Sequence, residues 1–303
     1  MIDPVIFSFN IGNITFALRW YGVLVMAGVL IATYLTAAEF KRQGENPDHI
    51  WDALVWMIPA GMLGARLWYV ANATLGGSRY YIENPIQILN TLQGGLHFYG
   101  GLLFGALALI LYTRKYKVDL WLFLDAIAPT VLIGQAVARP ANFINQELYG
   151  PPTTLPWGIK IDAIHRIAPW NDINTYPVEI TRFHPTFAYE ILWNIFAAQL
   201  LFVIARNFKD KVRPGVIFYG WLVLSGVGRI IIELWRPDQP RIQGTDISYT
   251  SMVAALMAVV GTVLLLDKLE IIRIPFIPKG PDQYSLSGSA PGLEKNSLQE
   301  ASE

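Results

Sequence analysis

Seven stretches of mostly apolar residues, separated by polar segments, follow one another along this chain. A helix that crosses a bilayer needs roughly 20 such residues, because it rises about 1.5 Å per residue through a hydrocarbon core about 30 Å thick. The pattern predicts helices over residues 20–38, 51–70, 96–113, 120–138, 185–205, 214–235 and 247–266. We therefore expect an all-α, polytopic integral membrane protein with seven transmembrane helices.

Composition supports the membrane interpretation and excludes several kinds of chemistry. Only 15% of the 303 residues are charged and the mean hydropathy is +0.37, whereas about 25% of the residues of soluble domains are charged. The absence of cysteine excludes a disulfide, a thiolate zinc site and a nucleophilic thiol of the chain's own. The formal net charge of zero gives no sign of a nucleic-acid partner. We expect no metal and no cofactor, since no third ligand accompanies His97 and His184 at a helical spacing.

The lysine and arginine residues of the loops predict the orientation of the chain. They concentrate after the first, third, fifth and seventh predicted helices, and such positive loops face the cytoplasm. The N-terminus, which lacks the basic region of a cleaved signal peptide, is therefore expected outside and the C-terminus inside. We expect one seven-helix domain over residues 1–275, in which residues 139–184 form a small extracytoplasmic cap. The tail, residues 276–303, is rich in Ser, Gly, Pro and Glu and is expected to be a disordered cytoplasmic segment.

Three arginines lie inside or at the ends of predicted spans, namely Arg66, Arg139 and Arg229. A charge inside a membrane costs roughly 2.5–3.5 kcal/mol on insertion scales, so each arginine needs a partner. With the predicted orientation, these arginines and the aromatic residues Tyr21 and Tyr99 all fall near the outer leaflet. This shared depth favours a site for an anionic ligand toward that leaflet. The alternatives are snorkelling of Arg66 to the interface and an aromatic belt that includes Tyr21.

The densest polar run of the chain, residues 138–153, directly follows the fourth predicted helix. Its candidate binding groups are Arg139, Asn142, Asn145 and Glu147. An arginine fork matches the geometry of a phosphate, while asparagine and glutamate side chains can bind hydroxyl groups. The run therefore indicates a headgroup site, and a turn held by asparagine side chains is the structural alternative. Pro140 predicts that the helix ends or kinks beside Arg139.

Acidic residues also occur within the predicted spans. Glu233 lies four positions after Arg229, so the two share one helical face, either as a structural ion pair or as part of the ligand site. Asp125 and Glu190 are interpreted as structural residues that are neutral or paired within the helix bundle. These acids, like the arginines, need a partner inside the membrane.

Short motifs in a fixed order extend over about residues 15–240. The longest is Arg139–x–x–Asn142–Phe143–Ile144–Asn145–x–Glu147–x–x–Gly150. The others are Arg19–Trp20–Tyr21–Gly22, Gly64–Ala65–Arg66, Gly94–Gly95 with Gly100–Gly101, His184–Pro185 with Tyr189–Glu190, and Gly228–Arg229 with Glu233, Arg236, Pro237 and Asp238. In this order the set resembles the motifs of the prolipoprotein diacylglyceryl transferase family of the bacterial plasma membrane.

The resemblance implies that the chain is an enzyme, a transferase. It implies transfer of the diacylglyceryl group from phosphatidylglycerol to the lipobox cysteine sulfur of a prolipoprotein, with release of glycerol 1-phosphate, as the first step of bacterial lipoprotein maturation. The implied partners are phosphatidylglycerol, the prolipoprotein signal peptide with its lipobox cysteine, and membrane lipids. The implied location is the bacterial plasma (inner) membrane, with residues 1–275 as the catalytic domain. An anionic donor fits the arginines, and an acceptor with its own thiol fits the absence of cysteine.

The resemblance also implies roles for particular residues. The catalytic candidates are Arg139, Arg229, Tyr99 and Glu147. The candidates for binding phosphatidylglycerol are Arg139, Asn142, Tyr21, Arg66, Glu233 and Gly150. Tyr99 stands where the family commonly has a histidine that is a candidate general base, so either Tyr99 donates a hydrogen bond or His97 acts instead. On a regular helix, His97 would face a different side from Tyr99.

Two other functions fit parts of the same pattern. A transporter for an organic anion or a lipid would also use arginines at membrane depth and broken helices, but it favours repeats and a site at the midplane. A non-catalytic lipid-binding scaffold predicts that changes of Tyr99 or Glu147 have little effect. An intramembrane protease is disfavoured, because no serine and histidine share a predicted depth.

Overall fold

The computed structural model describes residues 2–12, 14–91, 94–208, 212–236, 239–245, 247–276 and 280–286 of the chain. The α-helices in these ranges are α1 (Trp20–Arg42), α2 (Asp48–Leu75), α3 (Tyr80–Glu83), α4 (Phe98–Tyr116), α5 (Leu120–Ala138), α6 (Pro140–Ile144), α7 (Thr186–Asn207), α8 (Val216–Glu233) and α9 (Tyr249–Lys268). The strands are β1 (Val5–Ile11), β2 (Ile14–Arg19), β3 (Pro152–Thr153) and β4 (Arg182–Phe183), and two short 3-10 helices cover Pro85–Ile88 and Ala163–His165.

Long helices form at each of the seven apolar stretches. The bounds of α5 agree with the predicted 120–138, and the other helices differ from prediction by a few residues at their ends. Within the described residues, six helical segments are long and apolar enough to cross a membrane, namely α1, α2, α5 continued through α6, α7, α8 and α9. The helix α4 is not among them, since its 19 residues include the charged Arg114 and Lys115. The chain is thus an all-α polytopic membrane protein, and the count of seven spans stays a prediction.

The chain divides into two compact units. Unit one comprises residues 1–35 and 124–283, and unit two comprises residues 36–123 and 284–303. In unit one, α7 packs on α8 and α8 packs on α9. A Cβ atom at Gly226 would collide with the backbone of Ala254 and Ala258 in α9. Lipid provides no hydrophobic driving force between helices, so small residues that allow close backbone approach help them associate.

The amino end of α8 is held by a carboxylate from α5. Asp125 accepts hydrogen bonds from the backbone N–H groups of Gly215 (2.5 Å) and Phe218 (2.7 Å). Gly215 has φ +95°, a left-handed conformation that favours glycine at the residue before this helix. These contacts agree with the structural role predicted for Asp125, because the carboxylate satisfies two N–H groups that a helix amino end leaves without intrahelical partners.

The predicted cap, residues 139–184, has a small core of its own within unit one. Its buried aromatic and aliphatic residues are Tyr149, Ile161, Trp170 and Phe183. Arg166 lies beneath them and donates to the carbonyl oxygens of Ile161 (2.9 Å) and Tyr176 (2.5 Å). The guanidinium also faces the ring of Phe183 at 5.0 Å. This arginine therefore stabilises the cap from inside and belongs to a different class from the arginines of the predicted spans.

An antiparallel hairpin precedes α1, although no strand was predicted. Strand β1 pairs with β2, so that Phe9 lies opposite Phe16 and their rings stack at 5.4 Å. Both side chains, and those of Phe7 and Leu18, are exposed. Phe7, Phe9, Phe16 and Leu18 recur at every second position and share one face of the hairpin, which is the alternation of apolar and polar residues typical of a strand.

Unit two is built on α2 and α4. Gly64 of α2 and Gly100 of α4 approach each other so closely that a Cβ atom on either would overlap the other's carbonyl oxygen. Tyr112 is fully buried near the far end of α4 and is hydrogen-bonded through its hydroxyl to His49 Nδ1 at 2.8 Å. Glycine at both positions therefore permits the close approach of α2 and α4.

The C-terminal region is only partly described. In unit one, Asp282 pairs with Arg213 at 3.4 Å, and in unit two the backbone N–H of Ser285 donates to Asp119 at 2.8 Å. Residues 277–279 and 287–303 of the predicted disordered tail lie outside the described residues, as do Pro237 and Asp238 of the last motif. The disorder of the tail stays a prediction.

Candidate active site

The ends of three helices in unit one bring two arginines onto one carboxylate. Arg139 directly follows α5, Arg229 lies in the last two turns of α8, and Glu190 lies in the second turn of α7. Arg139 Nε pairs with Glu190 Oε2, and Arg229 Nη1 lies 3.2 Å from Glu190 Oε1. We call Arg139 and Arg229 the arginine pair. Of the two states expected for Glu190, neutral or paired, the structure shows the paired one, and its partners are the two residues predicted to contact the ligand.

A second carboxylate holds Arg229 from its own helix. Glu233 Oε2 lies 3.0 Å from Arg229 Nη2, as the spacing of four residues predicted. The hydroxyl of Ser248 donates to Glu233 Oε1 at 2.7 Å and also accepts the N–H of Ser251, which caps the start of α9. The orientation of Arg229 is therefore determined by α7, α8 and the amino end of α9 together.

Amide side chains hold Arg139 from the other side. Asn142 Nδ2 donates to Glu147 Oε1 at 2.8 Å, and Asn145 Nδ2 donates to the same oxygen at 3.1 Å. The oxygen of Asn142 faces Arg139 Nη1 at 3.5 Å. Gln146, with φ +53°, makes the turn that folds Glu147 back toward α6. The predicted headgroup run is thus a compact turn that directs polar side chains toward Arg139.

Exposure differs between the cations and the anions of this site. The side chains of Glu190 and Glu233 are 8% and 7% exposed, whereas those of Arg139 and Arg229 are 27% and 25% exposed. A guanidinium has five N–H groups, and within the described part of the chain each of the two arginines engages only two of its nitrogens. The buried carboxylates therefore fix the arginines from behind and leave N–H groups for a ligand in front.

This arrangement suits an anion with several oxygen atoms. Two guanidinium groups repel each other, and the buried carboxylates of Glu190 and Glu233 offset that repulsion. A phosphate that accepts hydrogen bonds from both forks would stabilise the arrangement further. The geometry can also stabilise negative charge that develops during a reaction, because its donors are already held in place.

Arg66 has different partners in unit two. Its side chain is buried and donates to four backbone carbonyl groups of the segment that precedes α4. The acceptors are Gln87 (2.6 Å), Ile88 (2.8 Å), Gly94 (3.0 Å) and Gly95 (3.0 Å). The guanidinium also faces the rings of Tyr69 and Tyr81 at 5.7 and 5.4 Å. Most of its donors are therefore engaged by the protein itself.

Tyr99 and His97 are neighbours at the start of α4, with ring centroids 5.6 Å apart. His97 precedes the first helical residue and has an extended backbone, with its N–H bonded to the carbonyl of Ala65 at 3.0 Å. The prediction that the two side chains face different sides assumed a regular helix through His97, and this condition is not met because the helix begins only at Phe98. Among the described residues, the buried Nδ1 atom of His97 has no hydrogen-bond partner, and Tyr99 is exposed.

Comparison with known proteins identifies the family. A family model described as prolipoprotein diacylglyceryl transferase matches residues 4–266 of the chain. The chain belongs to this family. It is 34% identical over 271 residues to the phosphatidylglycerol–prolipoprotein diacylglyceryl transferase of Chloroflexus aggregans, with 86% of this chain and 87% of that protein covered. The proteins of the same name from Enterococcus faecalis and Bifidobacterium longum are 34% and 30% identical, covering 89% and 98% of this chain and 93% and 94% of their own lengths.

Tyr21 and Gly150 are two further positions of the prolipoprotein diacylglyceryl transferase motifs. Tyr21 lies in the first turn of α1 and is exposed. Gly150 donates its N–H to the carbonyl of His184 at 2.8 Å. A Cβ atom at Gly150 would lie 2.9 Å from the carbonyl oxygen of Trp235 and 3.0 Å from His184 Cβ, so glycine permits close packing there. The predicted lipid contacts of Tyr21 and Gly150 stay predictions.

Sequence reasoning did not place Glu190 or Ser248 in the site. Glu190 was interpreted as structural, although an acid inside a span next to three unpaired arginines was a usable signal for a shared ion pair. Ser248 had no such signal, since a serine before a helix is first of all a cap. Glu190 and Arg229 are 39 residues apart in the sequence, and Ser248 and Glu233 are 15 residues apart. Both contacts therefore depend on tertiary structure.

Proposed function

We propose that this chain transfers the diacylglyceryl group of phosphatidylglycerol to the cysteine sulfur of a prolipoprotein lipobox and releases glycerol 1-phosphate. The observation that carries the proposal is the arginine pair, two partly exposed guanidinium groups held side by side by a buried carboxylate. The names of the relatives from Chloroflexus aggregans and Enterococcus faecalis support the same donor and acceptor.

The chemistry requires an ionised thiol and a stabilised phosphate. The sulfur forms a bond to the glyceryl carbon that bears the phosphate, the carbon–oxygen bond breaks, and its electron pair stays on the phosphate oxygen that leaves with glycerol. The leaving phosphate gains negative charge, which Arg139 and Arg229 stabilise because their N–H groups are fixed in advance. The same cations favour loss of the thiol proton, since nearby positive charge lowers the pKa of a thiol.

The other predicted residues support these two arginines. Asn142 and Glu147 orient Arg139 and bind hydroxyl groups of the donor headgroup, and Glu233 acts on the donor through Arg229. Tyr99 donates a hydrogen bond to the reacting groups, with His97 as the alternative proton acceptor. Tyr21, Gly150 and Arg66 complete the predicted set of residues for phosphatidylglycerol, with Arg66 acting through the loop before α4 that it supports. Because the rings of His97 and Tyr99 are in contact, both residues should be tested by substitution.

We place the protein in the bacterial plasma (inner) membrane with its N-terminus outside, its C-terminus in the cytoplasm and α4 as the seventh span. The bias of lysine and arginine in the loops supports this orientation. In unit one, the carboxyl ends of α5 and α8 and the amino ends of α7 and α9 all carry residues of the site. Helix ends of alternating direction at one level fit a site toward one leaflet, which we propose is the outer one.

The test is a direct transfer assay. Purified protein is mixed with phosphatidylglycerol labelled in its acyl chains and with a lipobox peptide, and mass spectrometry measures the diacylglyceryl thioether. We expect a product that depends on the peptide cysteine and is lost in Arg139→Ala. The matched control is Arg79→Ala, which removes an arginine whose side chain is 82% exposed, and it should retain wild-type transfer.

The same protein distinguishes the alternatives. Transfer that persists in Arg139→Ala, or that does not depend on cysteine, would contradict the assigned site or the assigned reaction. Binding of phosphatidylglycerol without any thioether would favour the lipid-binding scaffold. Movement of phosphatidylglycerol or an organic anion across protein-containing vesicles, again without thioether, would favour the transporter.

A further inference from the structure

A cavity of about 540 Å³ opens in unit one between α7, the end of α8 and the cap. Its wall on α7 consists of Tyr189, Leu192 and Phe196, which recur at helical spacing and therefore share one face. The cap contributes Leu155 and Trp157. We call this cavity the aromatic groove.

Several polar atoms of the aromatic groove are paired with one another or with the backbone. Trp157 Nε1 donates to the Tyr189 hydroxyl at 3.0 Å, and that hydroxyl lies 2.9 Å from His184 Nδ1. Trp193 Nε1 donates to the carbonyl of Leu224 at 3.0 Å. No Asp, Glu, Lys or Arg is among the described residues that line the groove. Its remaining surface therefore suits an apolar ligand.

The aromatic groove adjoins the arginine pair along the same two helices. Tyr189 lines the groove and directly precedes Glu190, the shared carboxylate, while Ile232 lines the groove and directly precedes Glu233. The groove and the arginine pair therefore lie at the same level of both helices, on faces about 100° apart around each helix axis. The groove is also open at its side, since Leu192 and Phe196 are 67% and 55% exposed.

The extent of the aromatic groove distinguishes a peptide from an acyl chain. From Tyr189 to Phe196 it follows α7 for about 10 Å, a depth that either ligand could fill. At its other end it passes the first residue of α7, Thr186, and continues over Leu155 and Trp157 of the cap. A lipid chain ends at its headgroup, whereas a polypeptide anchored in the membrane continues beyond the spans into water.

We propose that the aromatic groove binds the apolar residues that precede the acceptor cysteine of the prolipoprotein, so that the thiol reaches the arginine pair. The identity of this peptide rests on the proposed function. Aliphatic side chains of the bound peptide lie against Leu192 and Phe196, and the peptide leaves the groove along Trp157. The donor lipid then occupies the arginine pair from another direction, so that donor and acceptor do not compete for one groove.

Photocrosslinking tests this assignment without requiring transfer. Wild-type protein in nanodiscs that contain phosphatidylglycerol is illuminated with a lipobox peptide that carries photo-leucine three residues before a serine in place of its cysteine. We expect adducts on residues 189–196 or 155–157, located by peptide mass spectrometry. Adducts only elsewhere would overturn the proposal. So would labelling of the groove by phosphatidylglycerol with a diazirine in its acyl chain that excess peptide fails to prevent.

The two proposals fail in different ways. If the cysteine peptide receives no diacylglyceryl group while the serine peptide still labels the aromatic groove, the proposed function fails and the peptide site stands. If transfer is normal and the peptide labels other surfaces, only the groove assignment fails.

A matched pair of variants gives a second test. Leu192→Trp fills the aromatic groove, while Leu200→Trp adds the same bulk on the same helix at a residue outside its lining. We expect Leu192→Trp to raise KM for the peptide about tenfold, as a misfit in a hydrophobic pocket does, with KM for phosphatidylglycerol unchanged. Leu200→Trp should leave both constants unchanged. A rise in KM for phosphatidylglycerol alone would overturn the peptide assignment.

A smaller substitution covers the case in which tryptophan prevents folding. Phe196→Ala removes part of the groove wall at a side chain that is 55% exposed, so it leaves no buried cavity. We expect a several-fold rise in peptide KM with kcat retained. No change in peptide KM for this folded variant, together with absent crosslinks at residues 189–196, would overturn the proposal.

Discussion

Arg66 and the arginine pair are the same residue type in similar apolar stretches, yet their surroundings differ. In unit two, Arg66 is 6% exposed and donates to four neutral carbonyl groups of one loop. In unit one, Arg139 and Arg229 keep about a quarter of their side chains exposed and pair with carboxylates. The first arrangement uses nearly all the donors of a guanidinium, and the second leaves donors for a ligand.

The comparison separates an arginine that supports the backbone of a loop from arginines that keep donors available for a ligand. The carbonyl partners of Arg66 all belong to the segment before α4. Hydrogen bonds to these carbonyl groups hold the backbone of that segment in place. Carboxylate partners on different helices fix the arginine itself, because the carboxylates are buried more deeply than the cation. A difference in partners and exposure, more than a difference in depth, therefore predicts the effects of substitution in the two units.

The largest expected effect is on transfer when the fork of the arginine pair is lost. Arg229→Lys keeps the positive charge but cannot donate from a planar fork, so one fixed donor to the leaving phosphate disappears. We expect kcat to fall by about 10²–10³-fold, the range typical for loss of one preorganised donor. The thioether assay measures it, with Arg79→Lys as control. Wild-type kcat in Arg229→Lys would show that charge alone suffices.

A smaller effect is expected when the shared carboxylate is neutralised. Glu190→Gln keeps an acceptor for one arginine but removes the charge that offsets the repulsion between the two guanidinium groups. We expect kcat to fall by about 10–100-fold, because small displacements of catalytic groups reduce rates to that degree. KM for phosphatidylglycerol should not rise, since a negative charge is lost beside an anionic lipid. A higher KM with unchanged kcat would instead make Glu190 a ligand-binding group.

For Arg66 the main effect should be on stability. Arg66→Met keeps an unbranched apolar stem in place of the arginine stem and removes four hydrogen bonds to the loop before α4. We expect the free energy of unfolding to fall by about 2–4 kcal/mol, given about 0.5–1.5 kcal/mol for an ordinary hydrogen bond and more for a charged donor. Denaturant titration in mixed micelles measures this change. Normal stability combined with a 10²-fold loss of transfer would move Arg66 into the same class as the arginine pair.

The smallest effect is expected at the start of α8. Asp125→Asn keeps one oxygen as acceptor but replaces the other with an amide, so one of the bonds from Gly215 and Phe218 is lost. We expect a loss of about 1 kcal/mol of unfolding free energy, the usual value for a helix cap, and transfer close to wild type. Hydrogen exchange at the Gly215 and Phe218 amides should become faster. Unchanged exchange at both amides would contradict the cap.

Local features of the fold and site could be predicted from the sequence. The bounds of α5 follow from a mostly apolar stretch that ends before Pro140, and α5 ends at Ala138, with Arg139 between it and α6. The pairing of Arg229 with Glu233 follows from a spacing of four residues. The family itself follows from motifs in a fixed order, and the matching family model confirms it.

Features that depend on tertiary contacts could not be predicted in the same way. The carbonyl partners of Arg66 are backbone atoms, which carry no sequence signal. The hydrogen bond from the His97 N–H to the carbonyl of Ala65 is a tertiary contact just before α4. A count of helical positions therefore could not give the relative directions of the His97 and Tyr99 side chains. By contrast, the hairpin of β1 and β2 has apolar residues at every second position from Phe7 to Leu18, so it could have been predicted from the sequence.

The carboxylate of Asp125 has a consequence for how the two arginines are spaced. Arg139 comes fourteen positions after Asp125, and Arg229 comes fourteen positions after Gly215, which Asp125 holds. At about 1.5 Å per residue, each helix measures about 21 Å from that common origin to its arginine. The two helical segments are therefore equal in length, and the arginine at the end of each pairs with Glu190. Inserting one residue into either segment would shift its arginine by about 1.5 Å along the helix and rotate it by about 100°. The pairing of both arginines with Glu190 therefore depends on the number of residues in each segment as much as on their identity.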